Sequence, residues 1–131
     1  MFVLDTNAVI HFFKNKGQVA EHLLATAPGD IGLPAVVVYE LERGVRKSTQ
    51  AHDRAARLAR FIAAVKILPF DGRAAGVAAG IAVALESRGE KIGLLDTLIA
   101  ATAMANDAIL VTHNTAEFSR IGELRIEDWH G

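Results

Sequence analysis

Short apolar runs punctuate this chain at intervals, and helical periodicity fills the gaps between them. Phe2-Val3-Leu4 shows no polar alternation, which marks a strand buried on both faces. Ile31-Gly32-Leu33 and Lys66-Ile67-Leu68 are two further short strands, Ala108-Ile109-Leu110-Val111 is another unbroken apolar run, and Leu124-Arg125-Ile126 offers a fifth, edge strand. Between them, Ala8–Phe13 reads as a short apolar helix, closed by Lys14-Asn15-Lys16-Gly17. A second short helix runs from Gln18 to Ala25, and Pro28-Gly29-Asp30 is a turn. Pro34 suits the start of a helix continuing to Val45, although its three valines favour strand. Leu58, Phe61, Ile62 and Val65 stripe a helix over 51–65. Asp71-Gly72 opens an alanine-rich helix to Ser87, and Leu94-Leu95-Asp96 leads into another that ends near Asn106. Thr115–Phe118 makes a short turn or helix. Strands alternating with helices predict an α/β fold, a mostly parallel sheet of four to five short strands covered on both faces.

Composition narrows the class. The chain has 131 residues, 51% of them hydrophobic, enough for one domain spanning 1–131 with a real core. It contains no cysteine, which excludes disulfides, thiolate metal sites and Cys nucleophiles. No secretory leader is read at Met1 and no run reaches the length of a membrane span, so a cytoplasmic protein is expected. A net charge of -1 does not announce a nucleic-acid binder. Basic residues do gather between the second and third strands: Arg43, Arg46, Lys47, Arg54, Arg57 and Arg60. They suit either a solvated helix face or phosphate contacts.

The candidate chemistry lies in carboxylates. Asp5 stands at the carboxyl end of the first strand, where open α/β sheets bind ligands. It also precedes a helix that Thr6 or Asn7 could cap, and the plainer alternative makes Asp5 itself only a capping residue. Thr112-His113-Asn114 closes the fourth strand, with Glu117 just beyond. Asp96 sits at a helix start, and Glu40 lies in an otherwise apolar stretch. A doubly wound sheet would bring Asp5 and the 112–114 segment to one edge. Carboxylates converging there repel one another unless a cation lies between them. Oxygen ligands without Cys or paired His suit Mg²⁺ or Mn²⁺. Such a site can bind a phosphodiester and orient an attacking water. The five histidines, His11, His22, His52, His113 and His130, show no metal-ligand spacing. His113 adjoins the proposed site as a solvent or RNA contact.

Four motifs in order resemble the PIN-domain ribonucleases, and more narrowly the VapC toxins of type II toxin–antitoxin modules. They are Asp5-Thr6-Asn7, Glu40-Leu41-x-x-Gly44, Asp96-Thr97-Leu98-Ile99-Ala100-Ala101 and Val111–Phe118. The Glu-Asp-Trp ending at 127–129 adds to the likeness. The resemblance implies a three-layer α/β/α sandwich and a Mg²⁺- or Mn²⁺-dependent endoribonuclease. It also implies a VapB-type antitoxin over the active site, and a homodimer. It selects Asp5, Glu40, Asp96 and Glu117 as the catalytic acids, Asp5 and Asp96 holding the metal directly. Many PIN domains carry Asp where this chain has Asn114, so either Asn114 or Glu117 fills the fourth place. Thr6, Asn7, Thr112 and Asn114 are supporting polar groups. The subgroup with these features is similar to toxins that cut tRNA in the anticodon region. Two other readings stand beside it: a PIN-like binding module without catalysis, and a phosphatase with Asp5 as nucleophile. The second wants an Asp where Asn7 stands.

Overall fold

The computed structural model describes residues 1–131. Its centre is a five-stranded sheet of order β3-β2-β1-β4-β5, every neighbouring pair parallel. The strands are β1 (Phe2–Leu4), β2 (Ile31–Pro34), β3 (Lys66–Leu68), β4 (Ile109–Val111) and β5 (Ile126–Glu127). Parallel neighbours need crossovers, and seven helices supply them. These are α1 (Thr6–Phe13), α2 (Val19–Leu24), α3 (Ala35–Arg46), α4 (Ala51–Ala64), α5 (Gly72–Ser87), α6 (Leu94–Ala105) and α7 (Thr115–Phe118). The chain winds outward from β1 to β3, then crosses back to β4 and β5. With right-handed crossovers, that reversal sets the helices on both faces of the sheet. None of them is long and apolar enough to cross a membrane.

The apolar runs of β1, β2 and β4 are largely buried, whereas in β3, at the sheet edge, only Leu68 is enclosed and Lys66 and Ile67 are exposed. Val3, Leu4, Leu33 and Leu110 are fully enclosed, and Leu68 and Val111 nearly so. The three valines of α3 did not make it a strand. Val37 and Leu41 fall one turn apart and are buried, while Tyr39 is exposed, so amphipathic packing outweighs intrinsic preference. Pro34 ends β2 and serves as the residue before the first helical turn.

Element ends shift by a residue or two from the sequence reading, and two places bear on the site. Neither Thr6 nor Asn7 caps α1; Asp5 does, accepting a hydrogen bond from the Ala8 N–H at 2.8 Å. The fifth strand is Ile126–Glu127, not 124–126. Leu124 instead turns into the core, and the ladder begins where Ile126 lies opposite Leu110. Beyond β5 the tail folds back across the molecule. Trp129 is buried, its ring 5.2 Å from that of Phe2 and stacked on His22. The His130 carbonyl accepts from the Gln18 N–H at 2.9 Å and lies against Gly17, whose φ of 62° suits glycine.

Candidate active site

Winding reverses at β1, which lies between β2 and β4. A crevice therefore opens outside the carboxyl ends of these strands. Leu4 pairs with Val111 and Val111 with Glu127. The next residue on each strand is Asp5, Thr112 and Asp128, so these three stand in a row along one edge. The Asp5 N–H donates to the Val111 carbonyl at 3.1 Å and the Thr112 N–H to that of Glu127 at 2.9 Å, extending the ladder to this point.

Asp5 is 5% exposed, rare for a carboxylate. Burial raises its pKa above the ordinary 3.8, and Glu40 and Asp128 push the same way; the Thr112 hydroxyl and the Ala8 N–H pull it back. Glu40 comes from the second turn of α3 and is half-buried. The Thr6 hydroxyl donates to its Oε1 at 2.6 Å, linking α1 to α3. Glu42 lies elsewhere on the helix and pairs with Arg46 in solvent, 3.7 Å apart.

Asp96 stands in the first turn of α6 and is half-buried. Its pKa is pushed up to about 6, by burial first and then by Glu117, Asp5 and Glu40. Asp96 therefore lies close enough to sense the other three acids. Glu117, on α7, is held from two sides. Asn114 Nδ2 donates to its Oε2 at 2.5 Å and the Gly93 N–H to its Oε1 at 3.3 Å. Thr112 Oγ1 accepts from the Asn114 N–H at 3.0 Å. Asn114 and Glu117, the two candidates for the fourth place, are thus joined by a hydrogen bond. Asn7 is exposed.

No three of these carboxylates or the imidazoles are arranged to hold a metal ion as they stand. Thr6 and Asn114 each donate a hydrogen bond that engages one oxygen of Glu40 and Glu117. The donor chemistry still fits a hard divalent cation. The ligands are oxygens, and the raised pKa values of Asp5 and Asp96 record repulsion and desolvation that a cation would relieve.

The basic residues do not form one patch. Arg54 and Arg57 line a groove of about 440 Å³ that reaches Glu40 between α1, α3 and α4. Arg57 donates to the Phe13 carbonyl at 2.6 Å and lies over the Phe13 ring. Arg46 is engaged by Glu42, and Arg43 and Lys47 are exposed outside the groove lining. Lys14 belongs to the groove and escaped the sequence reading, because it comes from a distant element, after α1.

The PIN domain model matches residues 2–124. The chain belongs to the PIN-domain family. Within it, the VapC ribonucleases are close relatives. A tRNA(fMet)-specific endonuclease VapC of Shigella flexneri is 34% identical over 128 residues, spanning 98% of this chain and 97% of that protein. Ribonuclease VapC2 of Rickettsia felis is 32% identical over 131 residues, 98% of each. The Rickettsia felis VapBC2 structure, bound to a DNA fragment from its promoter, superposes on this PIN domain with a TM-score of 0.91 at 32% identity, covering 98% of both chains. DNA-bound VapBC of Salmonella typhimurium gives 0.92 at 32% identity, covering 98% of this chain and 97% of that one. The α/β/α sandwich and the VapC-type PIN domain expected from sequence are both present.

Proposed function

We propose that this PIN domain is the toxin of a VapBC-type toxin–antitoxin module and a Mg²⁺- or Mn²⁺-dependent endoribonuclease acting on structured RNA, with tRNA near the anticodon as its target. The observation that carries the reading is the convergence of Asp5, Glu40, Asp96 and Glu117 in one cleft, with the Asp96 carboxyl raised to about 6 by burial and its three neighbours. Asp5 and Asp96 would hold the metal directly, assisted by Glu40 and Glu117. When bound, a divalent cation would neutralise the scissile phosphate and lower the pKa of a water for in-line attack. Thr6 donates to Glu40 and Asn114 to Glu117, which would limit the motion of the two assisting carboxylates beside the metal. The tRNA assignment is supported by relatives named as tRNA(fMet)-specific endonucleases. The VapBC structures support a VapB-type antitoxin as partner in a heteromeric complex; in this reading it sits over the acids of a homodimeric toxin.

The test maps new 5′ ends in cellular RNA after brief expression, with an Asp5→Ala control. Ends clustered in tRNA anticodon loops, absent from the control, are expected. Ends in other RNAs would overturn the tRNA target. Undiminished cleavage by both Asp5→Asn and Asp96→Asn would overturn the site itself.

A further inference from the structure

Three histidines far apart in sequence meet beside the acid cleft. His113 follows Thr112 at the end of β4, His130 comes from the tail, and His11 lies in the second turn of α1. The His113 and His130 rings stack, with centroids 4.1 Å apart and planes 20° apart. His11 meets them edge-on, at 4.9 Å from His130 and 6.0 Å from His113. Asp128 Oδ2 lies 2.9 Å from His113 Nδ1, which fixes that ring and leaves its Nε2 as the free position. Asp128 is also the third member of the row begun by Asp5 and Thr112. Two strand spacings separate it from Asp5, about 10 Å.

Packing alone does not call for imidazoles here. Elsewhere the chain fills such corners with phenylalanines, as where Phe12, Phe13 and Phe61 meet. His11 Nδ1 is buried without a hydrogen-bond partner, a cost that an apolar ring would avoid. The cluster is nonetheless reachable, since the His113 side chain is 52% exposed. Lys16 stands next to His11 and adds a cation. The arginines of this half of the sheet are engaged elsewhere. Arg125 binds Asp107 at the opposite edge, and Arg88 and Arg120 bind carbonyls of Arg120, Glu90 and Lys91.

A polynucleotide crossing four carboxylates needs cationic contacts on both flanks of the cleft. Arg54, Arg57 and Lys14 provide one flank. We propose that His113, His130 and His11, with Lys16, form a subsite on the other flank for an RNA phosphate next to the scissile one. The proposal rests on the ribonuclease reading above. The phosphate takes hydrogen bonds from imidazole N–H groups, and its charge favours protonation of rings that otherwise crowd one another. The charged and titratable neighbours are few. His11 faces His113, His130, Lys16 and Asp128; His113 faces Asp128 and His130; Glu127 is occupied by the Trp129 indole, and His22 by its ring.

The experiment compares the wild type with His113→Gln and with the double variant His113→Gln/His130→Gln. A fluorescein-labelled tRNA anticodon stem-loop is the probe. Its affinity is read by anisotropy in EDTA across a salt series, and kcat and KM are measured in Mg²⁺. Trp129, the chain's one tryptophan, reports by its fluorescence that the tail remains docked. Expected is an affinity loss of about tenfold in the double variant near pH 6, as one charged phosphate contact implies. The salt slope falls by about 0.7. KM rises with kcat nearly unchanged, and the difference fades by about pH 8.5, where free imidazole is neutral. Unchanged RNA affinity and salt slope overturn the subsite. So does a loss of antitoxin binding without a loss of RNA binding, which would give the cluster to the protein partner. A wild type that binds the probe in EDTA yet cleaves nothing would sink the ribonuclease reading, and the binding series would still decide the subsite.

Discussion

Replacing Asp96 with Asn should stabilise the metal-free protein at neutral and alkaline pH. The Asp96 carboxyl is raised from 3.8 to about 6 by burial and by Glu117, Asp5 and Glu40. Roughly two pKa units correspond to just under ~3 kcal/mol of differential interaction. Asp96 is only half-buried, so solvent screening reduces this to about 1–2 kcal/mol. The carboxylate also gains about 0.3–1 kcal/mol from the first turn of α6, which places the expectation at the lower end of that range. The sign follows from proton linkage. A carboxyl with a raised native pKa contributes stability that is fully present below pH 3.8 and is lost as pH rises through about 6. Asn escapes that loss. Urea denaturation in EDTA should therefore favour Asp96→Asn by about 1 kcal/mol near pH 8, a Tm gain of roughly 3–5 °C. Near pH 4 the gap should close. Mg²⁺ should then reverse the order, because it stabilises only the chain that retains the carboxylate. Equal stability at pH 8, or a gap that does not change with pH, would refute the claim that burial and the three neighbouring acids destabilise the ionised Asp96.

Two further substitutions test the supports of the site and of the tail. Thr6→Val keeps the shape of residue 6 and removes the hydroxyl that holds Glu40 Oε1 at 2.6 Å. Single-turnover cleavage should slow about tenfold with folding changed by less than about 1.5 kcal/mol, and an unchanged rate would show that Glu40 needs no anchor. Gly17→Ala would set a Cβ 2.0 Å from the His130 carbonyl oxygen, at a φ of 62°. A loss of about 1–3 kcal/mol is expected, with red-shifted Trp129 fluorescence as the tail lifts; wild-type denaturation and emission would refute the tail's role as a fixed element.

Much of this was legible in the sequence because each signal was local. Phe2-Val3-Leu4 and Ile109-Leu110-Val111 needed only their own residues to read as strands, and in each the last two residues are enclosed while the first is partly buried. Asp71 announced the start of α5 and caps it through the Ala74 N–H at 3.0 Å. Helical spacing lets only one of Glu40 and Glu42 face the cleft, the resemblance to the Glu-Leu-x-x-Gly motif selects Glu40, and the two do face different surroundings. What escaped depended on register between distant segments. The spacing of His11, His113 and His130 carries no pattern, since a strand, a helix and the tail meet only once β4 pairs with β1 and β5. The basic stretch failed for the related reason that nearness in sequence on α3 and α4 does not fix a common face, so Arg46 turned to Glu42 while Lys14 joined Arg54 and Arg57.

The same register ties the acid cleft to its imidazole flank. Asp5 caps α1, so the residue that directs the chain out of the sheet is also the most deeply buried carboxylate of the site. Asp128 touches Asp5 electrostatically and His113 through a hydrogen bond, joining two neighbourhoods of opposite charge tendency. That hydrogen bond and the neighbouring histidines overcome burial and hold the Asp128 carboxyl below its usual range, so it stays ionised while Asp5 is pressed toward neutrality. A slip of β5 by one residue would turn Asp128 away from His113 and the Trp129 ring away from Phe2. The buried Trp129 therefore acts beyond packing: by locking the last strand's register, it fixes where the edge changes from carboxylate to imidazole.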